Sequence, residues 1–281
     1  MTAAGATAPL RRQPLEAKAS RVRPARFLLP AYVWLVIAYT IVPIAIMIAY
    51  SFNQAPTQRV GFAWQGFTTT WYSQVFSLDD LTTAFEHSLE LATASSLVSL
   101  LIGVPLALAL ARHRFRGMLL VDSVIFIDIA APSVVVGAAL LSLFITLNVS
   151  LGLGTILIAH VAFNVAFVTV VVRARAQGLD PAIEKAAADL GASPWTAFRT
   201  VTLPLLMPGI VAGALLAFAM SIDDFIITQF VAGSTETFPL YVYGAVKTGI
   251  PPQVFVMGTL IFAAGVLIAI ANTVFQRRTQ L

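Results

Sequence analysis

Only 11% of the 281 residues are charged, so an ionisable group inside an apolar run is where chemistry should be sought. Ser221-Ile222-Asp223-Asp224-Phe225 places two adjacent carboxylates in an otherwise apolar stretch. A carboxylate at the centre of a membrane helix costs about 2.5–3.5 kcal/mol on insertion scales, so each needs a partner or a wet cavity. Neighbouring positions on a helix of ~3.6 residues per turn point in different directions. One acid is therefore expected to face a pathway and the other to serve structure. Paired carboxylates suit a polycation; the structural reading is a helix-end cap or an ion pair with another subunit. Asp128 is a further candidate pathway acid. Asp122 is expected to face water near a helix end. Glu86 and Glu90 are expected to open a helix, where negative charge suits the N-terminus. Tyr241 and Tyr243 offer cation–π faces or surface anchors. His160, with Asn164 one turn later, reads as hydrogen-bonded packing rather than a relay. No two of the three histidines have metal-ligand spacing, no nucleophile–base set is visible, and the absence of cysteine excludes disulfides, thiolate metal sites and cysteine nucleophiles. Catalytic and metal-binding residues are therefore not expected.

Residues 178–204 carry a different kind of signal. Asp180-Pro181 is a helix start: the carboxylate accepts orphan amide protons, and proline is tolerated where no N–H is needed. The helix is expected to reach Leu190 and stop at Gly191, which can take a left-handed conformation. Ser193-Pro194 starts a second short helix through about Thr202, which Leu203-Pro204 is expected to end. Ala186, Ala187 and Ala188 keep the first helix thin, and Trp195 and Phe198 give the second an apolar edge. That edge either docks to a partner or packs back on the chain's own helix ends.

The elements that must position these residues are long apolar helices. Apolar residues make up 58% of the chain and charged residues 11%, against about 25% charged in soluble domains, so too little polar surface is available for a water-soluble body. Spans of the roughly 20 residues needed to cross a bilayer are expected at 27–51, 87–111, 119–146, 154–174, 205–230 and 253–276. The first follows a basic tail at 1–26 and is too long for a signal-peptide core. With alternating spans and the N-terminus inside, all but Arg59 and Lys247 of the 17 Lys and Arg residues fall on one side. The inside set includes Arg112, Arg114, Arg116, Arg173, Arg175, Lys185 and Arg199. Such a bias places both termini in the cytoplasm. The charges form short clusters rather than an extended basic face, which argues against nucleic acid. The outer segment 52–86 holds Trp64, Phe67, Trp71, Tyr72 and Phe76, read as an aromatic belt or a docking surface.

Ala186-Ala187, Gly191 and Val201-Thr202-Leu203-Pro204 resemble the EAA loop of binding-protein-dependent ABC importer permeases, whose pattern is E-A-A, three residues, G, nine residues, I-x-L-P. The spacing fits without a gap, and the resemblance covers roughly 85–276. It implies an all-α integral membrane protein with six transmembrane helices and the type I ABC importer permease fold, in a bacterial cytoplasmic (inner) membrane. It divides the chain into a cytoplasmic tail (1–26), a first helix with its external loop (27–84), a permease core (85–276) and a short cytoplasmic tail (277–281). In that family the loop docks in a cleft of the ATPase, which would give Glu184, Lys185, Ala186, Ala187, Gly191, Trp195, Phe198, Leu203 and Pro204 coupling roles. The family's glutamate falls at Lys185, so either the ATPase carries a compensating acid or Glu184 takes over the contact. No G-x-x-x-x-G-K-[ST] motif occurs, so ATP and Mg are expected on a partner chain and no cofactor on this one. Two ATPase copies, a second and different permease chain, an extracytoplasmic binding protein and the lipid membrane are the implied partners.

Ser-x-Asp-Asp in the fifth span and Trp64-Gln-Gly-Phe-Thr-Thr-Thr-Trp71-Tyr72 resemble spermidine and putrescine permeases. Those permeases often carry an acid after the proline equivalent to Pro132, where this chain has Ser133, and Asp128 is the substitute one turn earlier. A sugar, phosphonate or ferric iron permease is the alternative solute reading. An ion-coupled secondary transporter predicts inverted repeats, and an intramembrane enzyme predicts a catalytic cluster; neither is found in the sequence.

Overall fold

The computed structural model describes residues 25–55 and 63–279, and side chains from 29 to 271 within them. Most of the basic tail at 1–26, Arg59, and the side chains of Arg277 and Arg278 lie outside that description. The chain divides into two units, Met1–Ala49 and Tyr50–Leu281. The first contains most of α1 (Ala25–Ser51), an apolar helix with prolines at 30 and 43. The second contains α2 (Thr70–Ser73), α3 (Asp79–Arg112), α4 (Met118–Ala130), α5 (Ser133–Thr146), α6 (Leu153–Gln177), α7 (Ala182–Asp189), α8 (Pro194–Ala197), a π-helical turn (Phe198–Thr202), α9 (Leu203–Ile222), α10 (Ile226–Val231), α11 (Phe238–Thr248) and α12 (Pro252–Thr279). Among the described residues the regular structure is helical, with one isolated bridge between Asn53 and Phe67.

Helices α3, α6 and α9 pack against one another and form the centre of this unit. Their shared core is made of small and branched residues: Ala107, Val168, Val172 and Ala217. A side chain at Gly103 would bring a Cβ within 2.7 Å of Val168 Cγ1, so glycine is what lets α3 and α6 approach this closely. A second core gathers Leu91, Phe144, Ile156, Ile227 and Val231, where α10 rests on α5 and α6. Around the periphery, large apolar side chains such as Leu119, Leu120, Phe126 and Leu267 stand exposed. In water such a surface would aggregate; in lipid it costs nothing. Five helices among the described residues are long and apolar enough to cross a membrane, or six if α4 and α5 form one bent span.

Four expectations are corrected. The third span is not continuous: α4 and α5 meet at 109°. Ala131 before Pro132 is extended, with ψ of 134°, because the proline ring disfavours helical geometry in its predecessor. The fifth span ends at Ile222 rather than 230, and Asp223 to Phe225 interrupt it. Leu203-Pro204 does not end the second loop helix, which runs on through the π turn into α9. The wide turn meets the proline problem: the amide of Leu203 reaches back to Phe198 O, and Pro204 follows inside the new helix. Finally, α3 is opened by Asp79 and Asp80; Glu86 and Glu90 lie further along it.

Candidate functional site

The loop after α6 folds from its own capping chemistry. The Asp180 carboxylate accepts the amide of Ala182 at 2.8 Å and starts α7, one residue later than expected. Gly191 closes α7 with φ of +86°, its amide on Ala188 O at 2.9 Å, followed by Ala192 N on Ala187 O at 3.0 Å. Ser193 Oγ accepts the amide of Thr196 at 3.2 Å, and Pro194 takes the first helical position of α8. The loop is thus two short helices folded about one left-handed glycine.

Its outer face is apolar and bare. Leu190 is 89% exposed and Trp195 68%, and Ile183 and Lys185 are also exposed. Trp195 and Phe198 sit with ring centroids 5.6 Å apart; Phe198 is half-buried and turns inward while Trp195 does not. Ala186 is exposed and Ala187 half-buried; Leu203 and Pro204 form the first turn of α9 rather than a loop end. Glu184 is directed differently from its neighbours. One of its carboxylate oxygens accepts from the guanidinium of Arg112 in the last turn of α3, and the other from the hydroxyl of Thr202 in the π turn. These partners span a groove of about 580 Å³ lined by Pro105, Leu108 and Ala109 of α3 and by Ala188, Ala192 and Phe198 of the loop. A second ion pair at the same end joins Asp122 of α4 to Arg173 of α6, so Asp122 does not simply face water as expected.

At the other end of the bundle the polar chemistry is short-armed and buried. His160, 4% exposed on α6, has Nδ1 2.6 Å from Ser221 Oγ on α9 and Nε2 2.9 Å from Thr228 Oγ1 on α10. Ser95 of α3 donates to Ser221 Oγ at 2.9 Å. The Thr228 hydroxyl and amide both donate to Asp224 Oδ2 at 2.8 Å, and His160 Nε2 lies 3.4 Å from the same oxygen. A neutral imidazole with its proton on Nε2 satisfies every partner in one direction: Ser95 to Ser221 to His160 to Thr228 to Asp224. His160 is hydrogen-bonded packing, as expected; it joins α6 directly to α9 and α10 and, through Ser221, to Ser95 of α3.

The two aspartates therefore differ in kind. Asp224 serves the first turn of α10, and its side chain is 16% exposed. Asp223 caps α9 and is exposed. It lines a cleft of about 570 Å³ with Phe225, Phe238, Tyr243 and Phe262. Phe225 and Tyr243 rings are 4.7 Å apart, and Lys247 Nζ lies 4.3 Å from the Tyr243 centroid, so one cation–π face offered by the sequence is taken by the chain's own lysine. Asp128 sits near the end of α4, with Oδ2 buried and no hydrogen-bond partner among the described residues. It is not gathered with Asp223 and Asp224. Arg112 and Thr202 were not anticipated. Arg112 touches the loop directly but lies 72 positions from Glu184 in sequence, and no local pattern pairs the two.

A bundle of long apolar helices with a capped two-helix loop is the frame of a transport permease. Residues 99–281 match the family model for the binding-protein-dependent transport system inner membrane component, and the chain belongs to that family. It is a transport subunit rather than an enzyme; family membership implies an ATPase on a separate chain and a binding protein as partners, and places the protein in the inner membrane.

Among individual relatives, the chain is 40% identical over 253 residues to the spermidine/putrescine transport system permease protein PotC of Escherichia coli K12, covering 90% of this chain and 95% of that one. PotC of Haemophilus influenzae is 37% identical over 253 residues, covering 90% and 97%. The putrescine transport system permease protein PotI of Escherichia coli K12 is 37% identical over 230 residues, covering 79% and 81%. In structure, a bacterial ABC transporter involved in the import of the acidic polysaccharide alginate superposes with a TM-score of 0.63 at 20% identity, over 91% of this chain and 97% of that one. A chain of the inward-facing MetNI methionine ABC transporter gives 0.59 at 18% identity, over 70% and 95%. At such identities the likeness concerns the fold alone.

Proposed function

We propose that this chain forms half of the translocation pathway of an ATP-driven importer for polyamines such as spermidine or putrescine. The observation that carries the machinery is the folded loop 178–204, whose exposed Leu190, Trp195 and Lys185 face away from the bundle. With both oxygens of Glu184 engaged inside the chain, contact with the ATPase falls to Lys185 and the apolar face, and the partner is expected to present an acid opposite Lys185. ATP and Mg belong to that partner, in two copies, and a second permease of different sequence completes the pathway. In this reading α4 and α5 count as one broken span. Six spans and the lysine and arginine bias then put both termini in the cytoplasm. Alternating access follows, with ATPase closure moving the two permease halves.

The solute assignment is supported by the names of the relatives and by Asp223, an exposed carboxylate in an aromatic-lined cleft, which suits an organic ammonium. Asp128 is a second pathway candidate. Ser133, in the first turn of α5, is the observation that favours another solute, a sugar, phosphonate or ferric iron, on the same machinery.

The test is uptake of labelled spermidine and putrescine, against sugars, into proteoliposomes holding the full importer and its binding protein. Uptake that continues without ATP removes the reading. Because the chain has no cysteine, a single cysteine introduced at Trp195 reports sidedness unambiguously; labelling from outside the cell contradicts a cytoplasmic loop.

A further inference from the structure

The strongest unassigned feature is the contact by which the loop reaches α3. Three elements meet at one carboxylate: Arg112 in the last turn of α3, Glu184 in the first turn of α7 and Thr202 in the last position of the π turn. Between α3 and the loop lies the groove of about 580 Å³, so across it the side chains do not pack tightly. Displacing α7 along this groove would let the backbones slide unless something spans the gap, and the Arg112–Glu184 pair does.

We propose that Arg112, Glu184 and Thr202 form a strut that transmits movement of the loop to α3, with Arg112 and Thr202 as positioning residues acting through Glu184. The proposal rests on the reading of 178–204 as the coupling loop and adds the path by which force enters the bundle. A contribution to stability is a poor explanation of the same contact. The side chains of Arg112 and Glu184 are 25% and 31% exposed, and single partly solvated pairs of this kind are worth little. A strut needs only to hold while the loop moves. Its geometry suits that: both carboxylate oxygens are used, each toward a different helix, so α7 cannot shift relative to either α3 or the π turn without breaking a charge-assisted bond. The hydroxyl of Thr202 can also accept, so the arrangement tolerates a swap of the two charges.

The experiment measures solute moved per ATP hydrolysed, in proteoliposomes containing the complete importer. Arg112→Glu and Glu184→Arg are each expected to lower that ratio by roughly tenfold, within the range of ordinary coupling free energies. The double variant is expected to recover it to within about threefold, because the interaction is restored in reverse. Should either single variant fail to accumulate in the membrane, Thr202→Val removes one hydroxyl from the strut with little change of shape, and a fall of about threefold is expected for one lost hydrogen bond. A wild-type ratio in the singles, a double variant no better than they are, or an unaltered Thr202→Val overturns the strut. Gly191→Pro separates the two levels. If it loses uptake while the strut variants keep the wild-type ratio, only the strut fails; if it transports normally, the coupling reading itself fails.

Discussion

The two ends of the central bundle use polar residues in opposite ways. At the loop end, long side chains, Arg112 with Glu184 and Arg173 with Asp122, reach across partly open space and form bonds between charges. At the far end, Ser95, Ser221, His160, Thr228 and Asp224 meet at 2.6–2.9 Å, largely out of contact with solvent. Pairs of the first kind add little to stability, because water competes for both charges, yet they tie together elements that do not otherwise pack tightly. A network of the second kind leaves buried orphans when any member is lost. The difference assigns long-armed ties that can travel with the loop to one end, and a packed, rigid network to the end where Asp223 is displayed. On the proposed reading, the first end receives the push of the ATPase and the second carries the acid offered to the solute.

The sharpest way to break this comparison is Gly191→Pro. Proline cannot adopt φ of +86° and has no amide for Ala188 O. Uptake is expected to vanish while membrane insertion, followed by immunoblot of the membrane fraction, stays normal. His160→Ala comes next. It removes partners from Ser221, Thr228 and Asp224 together, and thermal unfolding in detergent is expected to register a loss of about 2 kcal/mol; a variant as stable as the wild type would deny the far end its rigidity. The aspartates divide the two roles more finely. Asp223→Asn is expected to reduce polyamine uptake severalfold with unchanged melting temperature, whereas Asp224→Asn lowers the melting temperature through the amide and hydroxyl of Thr228. Reversal of that pattern exchanges their assignments. The smallest effect is expected at Glu236, between α10 and α11, whose carboxyl is pushed up first by burial and then by the negative charge of Asp80. A raised folded-state value means that ionisation works against the fold, so stability should increase slightly as pH falls from neutral through the raised value. Glu236→Gln is expected to raise the melting temperature slightly at neutral pH and to remove that increment, as read by pH-dependent unfolding.

Much of the architecture was legible because lipid imposes long apolar runs and because caps are local. Asp180, Gly191 and Ser193 each act through residues within four positions, and the two-helix loop follows from them. The breaks were harder. Pro132 announces a restriction on Ala131 but not a 109° turn, since packing of α10 against α5 decides where the second half goes. The stop at Asp223 is also tertiary: Ile222 to Phe225 could continue a helix, and the draw of Asp224 toward Thr228 favours ending it. Helix α11 lies between the fifth and sixth expected spans, a segment for which no helix was expected. Of the candidate site, the existence of one structural and one displayed aspartate could be anticipated from helix geometry, but which was which could not. The ties of Ser221 to Ser95 and to His160, and of Glu184 to Arg112, join positions 61 or more apart and have no local signature.

The π turn at Phe198–Thr202 has a mechanical consequence. Because it carries the chain past Pro204 without a break, α8 and α9 are a single shaft from Pro194 to Ile222. A torque applied at Trp195 therefore emerges, with little slack, beside Ser221 and Asp223, and a push on the loop becomes a rotation of the far end of the shaft.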